Sequence, residues 1–168
     1  TVWSYLSEHK KEKLGILSAI ERVFSSGQLI LGENVLKFEE EFAKYCGVSF
    51  GIGVGNGTDA IFLALKALGI GKGDEVITVP NTAIPTVSAI CATGATPVFV
   101  DIDEDTYLID VTKIEQKITS STKCIIPVHL FGQCCDMEKI SSIAKKHKLF
   151  VIEDCAQAAG AKRSGIVA

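Results

Sequence analysis

Three stretches of this sequence carry residue types and spacings that could do chemistry. The first is Gly51-Ile-Gly-Val-Gly-Asn-Gly-Thr-Asp59. A glycine turn that opens a helix brings backbone N–H groups close to an anion, and the helix N-terminus adds unpaired donors and a positive dipole end. Thr58 could add a hydroxyl. The spacing does not make a dinucleotide fingerprint. Starting from Gly51 the third glycine would fall at Asn56, and starting from Gly53 it would fall at Thr58. No Gly-Lys-Ser/Thr follows for a nucleotide P-loop. On this segment alone a phosphate cradle and a plain tight turn both stand.

The second stretch is Val151-Ile-Glu-Asp-Cys-Ala-Gln157. An apolar run delivers two carboxylates to its C-terminal end, where open α/β sheets bind ligands. One carboxylate there could pair with a protonated ring nitrogen, and Gln157 could donate or accept from an amide three residues on. The competing reading is a helix or turn cap beside a solvated acid. The third stretch, Asp101-Ile-Asp-Glu-Asp-Thr-Tyr-Leu-Ile-Asp110, suggests a calcium loop. Position six is Thr106 where glycine is needed, and position twelve is Thr112 where glutamate is needed. It reads instead as an acidic turn that caps a helix at Asp110.

Of the three histidines, His9 and His147 lie in polar helical stretches, and His129 ends an apolar strand. His129 is expected to be packed and hydrogen-bonded. A zinc site from His129, Cys134 and Cys135 is disfavoured because adjacent cysteines splay apart. No C-x-x-C pair occurs among the six cysteines, which are expected to be reduced thiols.

The elements that must position these residues alternate. Helices are predicted over Glu8–Ser25, from about Asn34 as N-cap to Gly47, over Thr58–Leu68, Pro85–Thr93, Asp110–Ile118 and Asp136–His147. The Thr58–Leu68 helix is apolar nearly all round and is expected to be buried. Strands are predicted over Val48–Val54, Glu75–Val79, Pro97–Val100, Lys123–Val128 and Leu149–Glu153. β-branched runs joined through helices predict an α/β fold with a mostly parallel sheet covered on both faces. Residues 1–46 read as a helical segment and 47–168 as part of the sheet domain.

The chain has 168 residues, is 47% hydrophobic and 22% charged, and has a net charge of −3. That is globular composition without the basic signature of a nucleic-acid binder. No run is long enough to span a membrane, and Thr1–Lys13 is not a signal peptide. The only methionine is Met137, and the chain stops on the apolar Gly165-Ile-Val-Ala168. A piece of a longer protein is expected.

Taken together, Gly55-Asn-Gly-Thr-Asp-Ala60, Gly71-Lys-Gly-Asp-Glu-Val-Ile77, Pro127-Val-His-Leu-Phe-Gly132 and Ile152-Glu-Asp-Cys-Ala-Gln-Ala158 resemble the DegT/DnrJ/EryC1/StrS family. The glycine-spaced entry to a helix at Gly27–Phe42 is similar too. The resemblance implies the large domain of a fold type I, aspartate aminotransferase-like enzyme that depends on pyridoxal 5'-phosphate. It implies an amino group moved from glutamate to a nucleotide-linked keto-sugar, in polysaccharide or antibiotic sugar biosynthesis, by a cytoplasmic homodimer. It also implies roles for single residues. Gly57, Thr58 and Asp59 would hold the cofactor phosphate, Asp154 would pair with the pyridinium nitrogen, and Gln157 would sit beside the ring and its phenolic oxygen.

Two positions depart from the family pattern. Where members commonly carry an aromatic that stacks on the ring, this chain has Thr82-Ala83, and Ala83 can lie against a ring without stacking on it. The family's Schiff-base lysine belongs to a segment downstream of the aspartate. The only lysine after Asp154 is Lys162, in different surroundings. The catalytic lysine is therefore expected beyond Ala168, and no catalytic residue is assigned within the chain. The same gap leaves open a sugar dehydratase relative, or a catalytically incomplete binding module of the same fold.

Overall fold

The computed structural model describes residues 4–167. Thr1–Trp3 and Ala168, the extreme ends of the two predicted segments, lie outside the described residues. The chain divides into two compact units, 1–53 and 54–168.

The first unit is helical. Helix α1 spans Leu6–Ser26 and ends on Gly27, whose φ of 71° closes the helix in the left-handed region. Helix α2 spans Glu33–Cys46. Its N-cap is Gly32 rather than Asn34. The Gly32 carbonyl accepts the N–H groups of Val35 and Leu36, so the first turn closes before Asn34 could cap it. Phe38, Phe42 and Tyr45 share one face of α2, with the two phenylalanine rings 5.4 Å apart. Ala43 is the one buried residue of α2, and α1 has none.

The predicted strand Val48–Val54 is irregular chain. Glycines at 51 and 53 weaken a strand. The Gly53 N–H is taken by the Glu39 carboxylate, so it has no place in a sheet ladder.

The second unit opens with helix α3, Gly57–Ala67, followed by strand β1, Glu75–Thr78. Helix α4, Ile84–Ala92, leads to β2, Thr96–Phe99. After the acidic turn comes the short helix α5, Val111–Ile114, extended by a 3-10 turn, Glu115–Lys117. Asp110 caps α5 by accepting the Thr112 N–H, as expected. Strand β3, Thr122–Ile125, is followed by helix α6, Met137–His147, and strand β4, Phe150–Val151. A small antiparallel hairpin of β5, Lys162–Arg163, and β6, Ile166–Val167, ends the described chain.

Strands β1 to β4 form one all-parallel sheet in the order β2-β1-β3-β4. The fold is α/β with helices on both faces. One face buries Ile77, Val100, Ile114, Ile125 and Ile140 under α5 and α6. The other buries Ile61, Leu65, Val76, Ile90 and Ile126 under α3 and α4. Only Ile61 and Leu65 of α3 are buried, and Leu63 is 50% exposed. The helix therefore packs along one stripe and is not enclosed all round.

Strands β3 and β4 are shorter than the apolar runs predict. Pro127 offers no N–H to the ladder. Pairing resumes beyond it: Asp154 N–H donates to the Pro127 carbonyl and His129 N–H donates to the Asp154 carbonyl, each at 3.0 Å. The backbone of Asp154 is thereby fixed between the two residues that flank Val128.

Candidate functional site

The C-terminal edge of a parallel sheet gathers the residues that follow its strands. Ala83 follows β1, His129 follows β3, and Glu153 and Asp154 follow β4. Ala83 is exposed and has extended backbone (φ −68°, ψ 149°). It acts as the N-cap residue of α4, with Pro85 in the first turn as predicted. Its carbonyl accepts the Thr86 N–H at 3.3 Å.

Thr86 ties this turn to the aspartate. Its hydroxyl donates to Oδ2 of Asp154 at 2.8 Å, and the Ala156 N–H donates to Oδ1 at 3.2 Å. Asp154 is half-buried, and each carboxylate oxygen holds one fixed donor and keeps a further lone pair. Gln157 is at the surface, and its carbonyl accepts the Gly132 N–H at 3.0 Å, which docks the Phe131–Gly132 turn beside it.

The glycine turn at the head of α3 is self-contained. Asn56 is the N-cap: its Oδ1 accepts the Asp59 N–H and its Nδ2 donates to the Asp59 carboxylate, both at 2.9 Å. The pair is reciprocal, but the Asp59 carboxylate answers the side chain of its cap and not the cap's backbone N–H, as a capping box would. The Asp59 carboxylate thus holds the turn closed, while the N–H groups of Gly57 and Thr58 point out of the first turn without intrahelical acceptors. A Cβ on Gly57 would meet nothing within 4 Å, so the approach to those donors is open.

The N-terminus of α4 lies at the sheet edge that carries Asp154, to which Thr86 is bonded, and the direction of α3 points its N-terminus toward the same edge. At the opposite end, the positions where Gly71 and Gly94 would bear Cβ atoms come within 3.3 Å of the Thr93 carbonyl and 3.4 Å of the Lys72 nitrogen. The C-terminal ends of α3 and α4 are therefore side by side at the start of β1 and β2. An α3 of 11 residues runs about 16 Å from there toward the other edge. The arrangement offers two N–H donors with a helix dipole for a doubly charged phosphate, and an oriented carboxylate for a protonated ring nitrogen. These donors suit pyridoxal phosphate.

The other acid of the pair points elsewhere. His129 is fully buried; its Nδ1 accepts the Cys135 N–H and its Nε2 meets Glu153 Oε2, each at 2.9 Å. Since Nδ1 is an acceptor, the proton sits on Nε2 and is donated to the carboxylate. The packed, hydrogen-bonded histidine expected from the sequence is what the structure contains. His129, Glu153 and Cys155 also bring one potential ligand atom each to within 4.8 Å of one another. A cation on Nε2 would displace that proton while Nδ1 still faced an N–H donor, so the set does not suit a metal. Cys134 and Cys135 are outside this cluster. Burial pushes the Cys135 thiol up to about 11 and the Cys124 thiol up to about 12. None of the six cysteines forms a disulfide. A separate cavity of about 270 Å³ lies between α6 and the β5–β6 hairpin, with Met137, Glu138, Ser164 and Ile166 in its wall; none of Ala83, Asp154 or Gln157 lines it.

Sequence reasoning missed Thr86. The available signal was Thr82 and Thr86 at i and i+4 across the start of a helix that follows a strand.

Residues 10–167 match the DegT/DnrJ/EryC1/StrS aminotransferase family. The chain belongs to that family. It is 52% identical, over 167 residues, to the dTDP-3-amino-3,4,6-trideoxy-alpha-D-glucose transaminase of Micromonospora megalomicea subsp. nigra, covering 99% of this chain and 45% of that relative. Among solved structures it is similar to S. venezuelae DesV in complex with ketimine intermediate, with a TM-score of 0.95 and 41% identity over 98% of this chain and 44% of that one. It is also similar to ntda from Bacillus subtilis with bound cofactor pmp, with a TM-score of 0.89 and 40% identity over 94% of this chain and 36% of that one. The chain thus spans less than half the length of these relatives. Its family makes the fold that of the pyridoxal-phosphate-dependent aminotransferases.

Proposed function

We propose that this chain is the cofactor-holding portion of an aminotransferase that moves an amino group from glutamate to a nucleotide-linked keto-sugar. The observation that carries the reading is the fixed carboxylate of Asp154 at the sheet edge toward which the open first turn of α3 points. When bound, pyridoxal phosphate supplies an electron-withdrawing ring that accepts negative charge from the carbon losing its proton.

The chain's own residues prepare that ring. Gly57 and Thr58 hold the phosphate by backbone N–H groups, and Asp59 keeps their turn in shape by its bond to Asn56. Asp154 keeps the ring nitrogen protonated through an ion pair strengthened by hydrogen bonding. Ala83 takes the position of the family aromatic and gives up that contact area, and Gln157, three residues after Asp154, is the polar residue assigned to the side of the ring. The covalent lysine is assigned to a segment outside residues 1–168, which agrees with relatives more than twice as long. Among its described residues the helical unit exposes Leu14, Ile30 and Leu31 by 78% or more and buries one hydrophobic side chain, that of Ala43, which supports a homodimer as the working assembly. No helix among the described residues is long and apolar enough to cross a membrane. We place the enzyme in the cytoplasm with its nucleotide-sugar substrate.

Binding of pyridoxamine 5'-phosphate, followed by the emission of its ring, tests the reading without the lysine. Asp154→Ala should abolish saturable binding, and Asp103→Ala, in the acidic turn, should leave it unchanged. Equal effects of the two substitutions would mean that the site lies elsewhere.

A further inference from the structure

The hydroxyl that holds Asp154 is itself held. Thr82 Oγ1 and Thr86 Oγ1 are 2.8 Å apart, and Thr86 Oγ1 is 2.8 Å from Asp154 Oδ2. A carboxylate can only accept, so the single hydroxyl proton of Thr86 is given to Asp154. The proton between the two threonines must then come from Thr82. The direction of the chain is fixed: Thr82 donates to Thr86, and Thr86 donates to Asp154. Thr86 is 1% exposed, so Oδ2 is the oxygen turned into the protein and Oδ1 is left toward the outer side of the turn.

We propose that Thr86, supported by Thr82, is the positioning residue for the cofactor's ring nitrogen. It fixes the rotation of the Asp154 carboxylate before the ring arrives. This inference rests on the reading of Asp154 given above. The physical argument is one of preorganisation. Ala156 N–H alone would fix one oxygen and leave the carboxylate able to swing about that bond. A second donor from a buried side chain on α4, a separate element, removes that freedom, so less ordering cost remains when the ring binds. Thr82 polarises the Thr86 hydroxyl in the sense that strengthens its bond to the carboxylate. The two threonines lie on either side of Ala83. The turn that lacks the family aromatic thus still supplies the site, through hydroxyls instead of a ring face.

The test is titration of the 168-residue chain with pyridoxamine 5'-phosphate for the wild type, Thr86→Val, Thr86→Ser, Thr82→Val and Asp154→Asn. Thr86→Val keeps the shape and removes a hydrogen bond to a charged group, so affinity should fall about tenfold or more. Thr86→Ser restores the donor and should bind within about threefold of wild type, and Thr82→Val should lose about two- to threefold. Thermal unfolding of each variant separates these effects from loss of fold. Should Thr86→Val not fold, Thr86→Ala against Thr86→Ser makes the same comparison.

If Asp154→Asn abolishes binding while Thr86→Val binds like wild type, the relay is overturned and the aspartate's role stands. If Thr86→Ser is as weak as Thr86→Val, packing rather than the hydroxyl is responsible, and the relay is again overturned. If Asp154→Asn binds like wild type, or wild type shows no saturable binding, the functional reading falls and takes this inference with it.

Discussion

The two faces of the parallel sheet are built from the same material and end in opposite ways. Both are lined by β-branched residues, and both carry one buried cysteine, Cys135 on the α5–α6 face and Cys124 on the α3–α4 face. Period-2 alternation sends Val151 to the first face and Ile152 to the second. The next two residues are both acids. Glu153, itself 41% exposed, meets the buried His129, whose remaining nitrogen is taken by Cys135 N–H, so both imidazole nitrogens are satisfied. Asp154 meets Thr86 and retains open lone pairs at the edge that holds the N-terminus of α4 and toward which α3 points. A polar network that is complete serves the fold, and one that is left incomplete at a strand end is where a ligand can enter.

Core truncations give the largest effects and separate the two faces. Leu65→Ala, at 0% exposure under α3, and Ile140→Ala, at 0% under α6, should each lower unfolding stability by about 3 kcal/mol. Only Leu65→Ala should also weaken pyridoxamine 5'-phosphate binding, because α3 carries the Gly57–Thr58 turn. The buried thiols report which face has loosened. Burial raises both well above the working pH, so at pH 8 neither Cys124 nor Cys135 should react with iodoacetamide before exposed Cys91. Faster labelling of Cys124 in Leu65→Ala and of Cys135 in Ile140→Ala, read by peptide mass mapping, would sharpen the contrast. Equal loss of binding in both variants would break it.

A smaller effect is expected at the satisfied imidazole. His129→Leu strands the Cys135 N–H and removes the donor to Glu153, at a cost of roughly 2 kcal/mol in denaturant unfolding. Cofactor binding per folded molecule should not change. Asp154→Asn should do the reverse, with little change in stability and loss of binding. If His129→Leu abolished binding in a fully folded sample, the division between the faces would be wrong.

Features decided by a few adjacent residues were legible in the sequence. The end of the first helix beside Ser25, the cap at Asp110 and the start of a helix at Asp136 follow from local chemistry and appear where expected, Asp136 itself serving as the cap. Asn56 heads the expected helix, whose first turn opens one residue sooner, at Gly57. The acid at the end of β4 was legible for a similar reason, since a strand that ends in carboxylates points to the sheet edge. What depended on distant partners was not legible. Val48–Val54 has strand composition, but a strand exists only if a neighbour accepts it, and Glu39 takes the Gly53 N–H instead. Pro127 shortens β3, yet pairing continues past it through Asp154, which no local rule reveals. Thr86 reaches Asp154 across 68 positions of sequence. His147, in a polar helical stretch, shares the exposed Glu115 with Lys146, a pairing across 32 positions that no local pattern shows.

That last cluster supplies the smallest test of the comparison, because it lies on the α5–α6 face and far from the cofactor turn. Lys146 Nζ and His147 Nε2 each lie 2.7 Å from Glu115 Oε1, tying the last turn of α6 to the 3-10 turn after α5. Hydrogen bonds from Lys146 and then His147 hold the Glu115 carboxyl below its ordinary value of 4.5. A lowered folded-state pKa adds stability that is present above the unfolded value and is lost as pH falls through the folded one. The wild type should therefore exceed Glu115→Gln in thermal midpoint near pH 7, and the gap should close as the pH is taken below 4.5. The group is exposed, so added salt should shrink the gap as well. Since neither partner touches the α3–α4 face, the substitution should leave pyridoxamine 5'-phosphate affinity unchanged across the same pH range. A parallel fall in affinity and stability would show that the two faces communicate.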